Sequence, residues 1–172
     1  MGEPEAEIAR LIREYRDNTA KSVTIGTVES ATGGRIADRI TNIPGSSDYF
    51  RGSVVAYSNG VKIVPVGVNR ATLERYGAVS KEVAVEMALG GRKLLDIDIC
   101  VSDTGIAGPA GAAPGKPLGL FFVGLAAGDE AFSQKYVFPG DREENKEHAA
   151  EAALNLLRQY LLTQLNKSKK AV

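Results

Sequence analysis

The sequence predicts an α/β fold: a three-layer α/β/α sandwich built on a mixed, partly parallel sheet. Three observations predict it. Short β-branched runs alternate along the chain with segments whose apolar residues recur at helical spacing, which is how strands joined by crossover helices read. Two of the runs, Ile99-Cys100-Val101 and Leu118 to Ala126, are apolar without alternation, as strands covered on both faces are. The chain has 172 residues, 44% hydrophobic and 24% charged, and no repeat, composition shift or linker divides it. It therefore reads as one domain, 1–172, large enough to bury a core without staples.

The elements follow in order. Ile8, Leu11, Ile12 and Tyr15 share one helical face, so a helix is expected over about 5–18. Ser22 to Val28 is a strand, and Arg35 to Thr41 a helix with Ile36, Ala37 and Ile40 on its inner face, ended by Pro44-Gly45. Gly52 to Tyr57 is a second strand. Asn59 to Val68 is ambiguous, because Gly60 and Pro65 weaken a helical reading. Asn69 caps a short helix closed by Gly77, and Ser80 caps a longer one over Lys81 to Leu95, with Val83, Ala84, Met87 and Leu94 facing inward. Asp98 to Asp103 is a buried strand. A Gly- and Pro-rich loop, Thr104 to Pro117, leads to the strand Leu118 to Ala126. A turn at Asp129-Glu130 makes Ala131 to Phe138 its hairpin partner. Asp141-Arg142-Glu143-Glu144 has the shape of a capping box. It opens a last helix that buries Ala150, Ala153, Leu154, Leu157 and Leu161, and the tail over about 166–172 is expected to fray.

Composition removes several classes of function. Lys plus Arg is 21 and Asp plus Glu is 21, so there is no basic field for nucleic acid. Cys100 and His148 are the sole cysteine and histidine. They allow no internal disulfide and no zinc site, and a Ser-His-Asp mechanism would have to use His148. The acidic start, Met1 to Glu7, does not read as a signal peptide, and no apolar run approaches the ~20 residues that span a bilayer. No metal, cofactor, nucleic-acid partner or membrane is expected, and the location expected is the cytoplasm.

Four segments carry chemistry. Glu29-Ser30-Ala31-Thr32-Gly33-Gly34 joins a strand to a helix and could offer backbone N–H groups to an anion, or be only a tight turn. Thr104 to Pro117 is too long for a bare connector but matches neither a Walker A loop nor a dinucleotide fingerprint. Arg142, at the mouth of the last helix, can fork onto a phosphate or carboxylate, or lie in solvent beside the acidic first turn. The fourth segment runs from Gly45-Ser46-Ser47 to Tyr57-Ser58-Asn59-Gly60-Val61-Lys62. A serine there needs a base. With histidine effectively absent, Lys62 is available if burial lowers its proton affinity, and otherwise it is an ordinary surface lysine. Cys100 reads as inert core and His148 as a solvated helix residue. Glu29 and Asp103 both end strands and could face each other as a carboxylate pair.

Taken together the motifs resemble a known family. Thr27-Val28-Glu29-Ser30-Ala31-Thr32-Gly33-Gly34 is similar to the Glu-Ser-Cys-Thr-Gly-Gly signature of the CinA C-terminal domain family. The segment Asn42 to Phe50, with its Gly45-Ser46-Ser47, matches in order. So do Val55 to Asn59 with Lys62, Gly77 to Ser80, Thr104 to Pro109, Lys116 to Gly119, and Gly140-Asp141-Arg142. The resemblance covers nearly the whole chain, from about Ile8 to the last helix.

That family includes nicotinamide-nucleotide amidases. The resemblance implies hydrolysis of nicotinamide mononucleotide to nicotinic acid mononucleotide and ammonia, in pyridine-nucleotide recycling, by a serine–lysine acyl-enzyme mechanism without metal. It implies Ser47 as nucleophile, Lys62 as general base and Tyr57 in support, with Thr104 and Arg142 at the nucleotide. Backbone N–H groups about Gly45 and Ser46 would form the oxyanion hole. Ser30, Thr32, Gly33 and Gly34, with Gly105 and Gly108 of the long loop, would cradle ribose and phosphate. A homodimer is the family's habit. The alternatives are an inactive nucleotide-binding module of the competence- and damage-inducible kind, or an amidohydrolase of another small carboxamide. Three departures bear on this: Ala31 stands where the family has cysteine, Gly60 and Pro65 could displace Lys62, and Ala112, Ala113 and Gly115 stand where the family often has Gly, Thr and Glu, which could change substrate contacts.

Overall fold

The architecture is that of a computed structural model, which describes residues 3–170. Five strands, β1 (Ile25–Glu29), β2 (Phe50–Val55), β3 (Ile99–Gly105), β4 (Leu120–Ala127) and β5 (Glu130–Val137), form one sheet in the order β2-β1-β3-β4-β5. β1 is parallel to β2 and β3, while β4 and β5 add antiparallel. The sheet is mixed, as expected. Six α-helices accompany it: α1 (Pro4–Thr19), α2 (Arg35–Thr41), α3 (Asn59–Ile63), α4 (Arg70–Tyr76), α5 (Lys81–Leu95) and α6 (Arg142–Lys170).

The two faces of the sheet bury different cores. One packs Ile25, Ile99, Val101, Val123 and Leu125 under α1, α2 and α6, through residues such as Leu11, Ile40, Leu154 and Leu157. The other packs Val28 and Cys100 under α5, with Val66 and Val68 beside Met87. Alternation along each strand sets this division. It also aligns Thr27 and Glu29 of β1, and Asp103 of β3, with the α6 face.

Several expectations at element ends are corrected. β1 and β2 are displaced by about two or three residues from the sequence reading, in opposite directions, and Leu94 at the end of α5 is exposed. A 3₁₀ turn over Ser46–Asp48 precedes β2. The tail does not fray at 166: α6 remains helical to Lys170, with Leu165 buried and Lys169 paired to Glu14 of α1. The last two expected tail residues lie outside the described ones. The ambiguous stretch resolves as a helix. The Ser58 hydroxyl accepts from Val61 N to cap α3, and Pro65 falls after its end, so it breaks nothing that holds Lys62. The capping box is present in both directions: Glu144 N donates to Asp141 Oδ1 and Asp141 N to Glu144 Oε2, each 2.9 Å. Ser80 and Asn69 cap α5 and α4 as read.

Strand order creates the crevice. From β1 the chain passes to β2 on one side, then crosses back to β3 on the other, so the connections leaving the carboxyl ends of β1 and β3 run in opposite directions. Open α/β sheets bind ligands at such a point. Among the described residues no helix is long and apolar enough to cross a membrane.

Candidate active site

At that crevice lies a cavity of about 190 Å³ whose lining includes Ser30, Tyr57, Asn59, Lys62, Thr104 and Arg142. Lys62 is its chemical centre. α3 begins just past β2 and turns the lysine inward, leaving it 2% exposed. Its Nζ donates to the carbonyls of Ala56 (2.6 Å) and Tyr57 (3.4 Å), and lies 2.8 Å from Ser30 Oγ. Burial lowers its proton affinity, against the opposing pull of Asp103. A buried lysine with no carboxylate in contact is the arrangement that favours the neutral amine.

Ser30 leaves β1 on a turn held by two buried carboxylates. Asp103 accepts from Ser30 N (3.0 Å), Ala31 N (3.0 Å) and Thr32 N (3.2 Å), and contacts the Thr32 hydroxyl. Glu29 accepts from Gly34 N (2.8 Å), Ile36 N (3.1 Å) and Ala37 N (2.8 Å), the amino end of α2, and from Thr32 Oγ1 (2.8 Å). Both acids are 0% exposed. Burial and the charge of Glu29 push Asp103 up to about 6, against the hydrogen bonds it accepts. Positive φ at Gly33 and Gly34 (67° and 102°) lets the chain fold over them. This corrects the expected cradle. The turn does bind anions, but they are the chain's own carboxylates, so the N–H groups of Thr32 and Gly34 and the Thr32 hydroxyl are already engaged.

The expected nucleophile is not beside the base. Ser47 sits on the 3₁₀ turn that enters β2, whereas Lys62 follows the exit of β2. Six residues of strand, at about 3.3 Å each, put roughly 20 Å between the two ends of β2. Ser47 is exposed, and its carbonyl accepts from Arg51. Its neighbours Asp48 and Tyr49 line a different pocket with Arg13 and Arg16 of α1. Gly45 and Ser46 share that location, and Ser46 N donates to Ile43 O. None of the three can serve the crevice. The serine that Lys62 does touch, Ser30, is one the sequence reading placed among binding residues. The departure at Ala31 is innocuous, for it packs with Ala107, Phe121 and Ala149.

The remaining residues line the crevice. Thr104 is buried and donates its hydroxyl to Ala78 O (2.8 Å). Gly105 lies against Phe121, where a Cβ would come within 2.2 Å of the ring. Arg142 bridges the mouth, donating to Gly108 O (2.6 Å) and to Tyr57 Oη (3.0 Å). Tyr57 is largely exposed. Asn59, which the sequence reading does not place among the site residues, also lines the cavity. Cys100 is buried with its thiol pushed up to about 12 by desolvation, and His148 is exposed on α6 against Phe138. Among the described residues no three His, Cys, Asp or Glu side chains are grouped to hold a metal.

Comparison with known proteins decides the family. The family model described as CinA C-terminal domain matches residues 8–161. This chain belongs to that family. A CinA-like protein of Sulfurihydrogenibium sp. is 43% identical over 94% of the chain and 39% of its own length, and one of Salinibacter ruber is 49% identical over 83% and 34%. The CinA domain thus spans little more than a third of these relatives. Among solved structures, the competence damage-inducible protein A of Klebsiella pneumoniae superposes with a TM-score of 0.85 at 28% identity, covering 93% of this chain and 96% of that one. A competence/damage inducible protein of Agrobacterium tumefaciens gives 0.82 at 33% identity, covering 96% and 97%.

Proposed function

We propose that this CinA domain is a serine–lysine amidohydrolase of nicotinamide mononucleotide, with Ser30 as nucleophile and Lys62 as general base. One observation carries the reading: a buried lysine whose Nζ lies 2.8 Å from a serine hydroxyl in an open crevice. A neutral amine has two hydrogens and one lone pair. The Ala56 and Tyr57 carbonyls take the hydrogens, which leaves the lone pair for the Ser30 hydroxyl.

The chemistry follows from that contact. Ser30 Oγ bonds to the carboxamide carbon as its proton passes to Lys62 Nζ. The tetrahedral adduct collapses with cleavage of the C–N bond, and ammonia leaves with the proton returned by Lys62. Water then attacks the Ser30 ester, giving a proton to Lys62, which restores it to Ser30 as the acid departs. The amides of Ser30, Ala31 and Thr32 are held by Asp103, so we assign stabilisation of the oxyanion to the Asn59 carboxamide. The substrate rests on the family resemblance and on Arg142, a fork at the cavity mouth that suits a phosphate.

The test is ammonia release from nicotinamide mononucleotide. Turnover is expected in the wild type and in Ser47→Ala, and its loss in Ser30→Ala and Lys62→Ala. Full activity in Ser30→Ala refutes the assignment. Nucleotide binding without turnover in the wild type would favour a binding module instead.

A further inference from the structure

The carboxylate clamp beneath Ser30 holds more acceptors than its hydroxyl can serve. Thr32 Oγ1 lies 2.8 Å from Glu29 Oε2 and also contacts Asp103 Oδ1, with all three side chains 0% exposed. A hydroxyl has one hydrogen. Were both acids ionised, one contact would set an oxygen lone pair against a carboxylate oxygen, away from water. One proton on the pair removes the conflict: the acid that carries it donates to Thr32, and Thr32 donates to the other.

The backbone indicates which acid is which. Glu29 faces three N–H groups at the amino end of α2 and accepts from the Thr27 hydroxyl at 3.0 Å, a setting that favours the anion. Asp103 has no helix end to face. Its Oδ2 accepts from Ala31 and Thr32, while Oδ1 meets Ser30 N and the Thr32 hydroxyl, so Oδ1 can bear a proton and still accept from Ser30.

We propose that Asp103 is a positioning residue that shares one proton with Glu29 across the Thr32 hydroxyl, and that this proton governs the charge of Lys62. The proposal rests on the Ser30–Lys62 reading. Asp103 grips the main-chain nitrogen of Ser30 while Lys62 touches its Oγ, so the two groups flank the nucleophile. Ionised Asp103 favours a proton on Lys62, and protonated Asp103 releases that hold, which is the direction in which Asp103 acts on the lysine. The charged groups facing Asp103 are Glu29 from β1 and Lys62 from α3. β4 sets Val123 opposite it, and the Arg142 of α6 is engaged across the mouth by Gly108 and Tyr57. The pair and the lysine, all buried, thus compete for one proton. The base is ready when the carboxyl pair holds it.

The pH profile of kcat/KM tests this in the intact protein. Asp103→Asn cannot ionise and keeps one acceptor oxygen for the turn, although its amide nitrogen cannot accept the N–H bond that the second carboxyl oxygen takes. Its acid limb is expected to move to lower pH by about one unit, a tenfold gain in relative activity on that side, whatever the plateau loses. Thr32→Ser keeps the bridging hydroxyl and is expected to retain the wild-type limb. An unmoved limb in Asp103→Asn overturns the proposal and leaves Asp103 as a turn clamp only. Should that variant not fold, carbon NMR of the wild type, labelled at its Asp and Glu carboxyls, reads the same proton. One buried carboxyl titrating near 6 supports the proposal, and both buried carboxyls fully ionised by about pH 4.5 overturn it. The NMR measurement needs no substrate, so its failure is distinct from retained activity in Ser30→Ala, which would sink the dyad.

Discussion

The buried acid at position 103 makes the stability of the fold depend on pH in a direction opposite to that of a salt-bridged carboxylate. Folding raises Asp103 from its ordinary 3.8 to about 6. A group raised on folding binds protons more tightly in the native state. Its contribution is fully present below about 3.8, is lost as pH rises through about 6, and is flat above. At 1.36 kcal/mol per pH unit the whole displacement is worth about 3 kcal/mol, most of which falls between pH 4 and pH 7.5. Other carboxylates obscure this in the wild type alone. Glu7, for one, is lowered by Arg10 and runs the other way. The comparison with Asp103→Asn cancels them, because that variant keeps every other acid. Urea unfolding of both proteins at the two pH values gives the result directly. The wild type is expected to lose about 2 kcal/mol relative to Asp103→Asn between pH 4 and pH 7.5. A relative stability that stays constant within about 0.5 kcal/mol, the usual error of such measurements, refutes the claim that Asp103 gains proton affinity on folding.

Further outcomes test the site and its supports. Ser30→Ala is expected to lower kcat at least about 10³-fold, and Ser47→Ala to leave it within about twofold, because only the first touches Lys62. Lys62→Met, read by ammonia release and thermal unfolding, is expected to abolish turnover without lowering Tm, since it removes a buried amine whose charging folding opposes. Folding lowers the proton affinity of Lys62, so its cost to stability is largest on the acid side, and any gain in the methionine variant should shrink as pH rises towards 10.5. Arg142→Ala is expected to raise KM for nicotinamide mononucleotide about tenfold or more and to leave KM for the phosphate-free nucleoside unchanged. Gly90→Ala would set a Cβ 1.8 Å from Val66 O, in the segment that follows Lys62. A cost of about 1–3 kcal/mol in urea unfolding is expected, with lower kcat.

Much of the fold was legible because the elements that build it carry their own signals. Ser80 and Asn69 announce helices that the structure caps with those side chains, and Asp141 with Glu144 announces α6. What was not legible depended on tertiary placement. α3 could not be told from a loop, because its five residues have little intrinsic helicity; it exists because Ser58 caps it and Val66 and Val68 beyond it pack under α5. The meeting of Glu29 and Asp103 was foreseen from their places at strand ends, but not that the pair would clamp the amides of the turn between them. Glu29 and Asp103 are 74 residues apart by number, and only the parallel register of β1 on β3, in which Val28 pairs with Ser102, brings their side chains to one place.

Which serine meets Lys62 is a different matter, since the order of the strands already selects it. Parallel neighbours have their carboxyl ends on one side of the sheet. A residue just after β1 and one just after β2 therefore meet across a single rim, and a residue just before β2 lies on the other rim. Ser30 is the first residue after β1, and Lys62 sits on the first turn of chain after β2. Ser47 precedes β2, so no choice of loop conformation could carry it across the length of the strand to Lys62. Taking β1 and β2 as parallel, which the intervening helix Arg35 to Thr41 already favours, is enough to select Ser30 from the two serine motifs. The same geometry leaves the single histidine away from the crevice, consistent with the proposal that Lys62 of α3 is the base. His148 lies nearly two turns into α6, its ring held against Phe138 at 5.5 Å, and α6 brings Arg142, at its amino end, to the mouth of the crevice. The rim where β1, β2 and β3 end thus brings together Ser30, one buried amine and one buried acid pair, and the proposed hydrolysis of a carboxamide by way of a serine ester requires no other proton carrier.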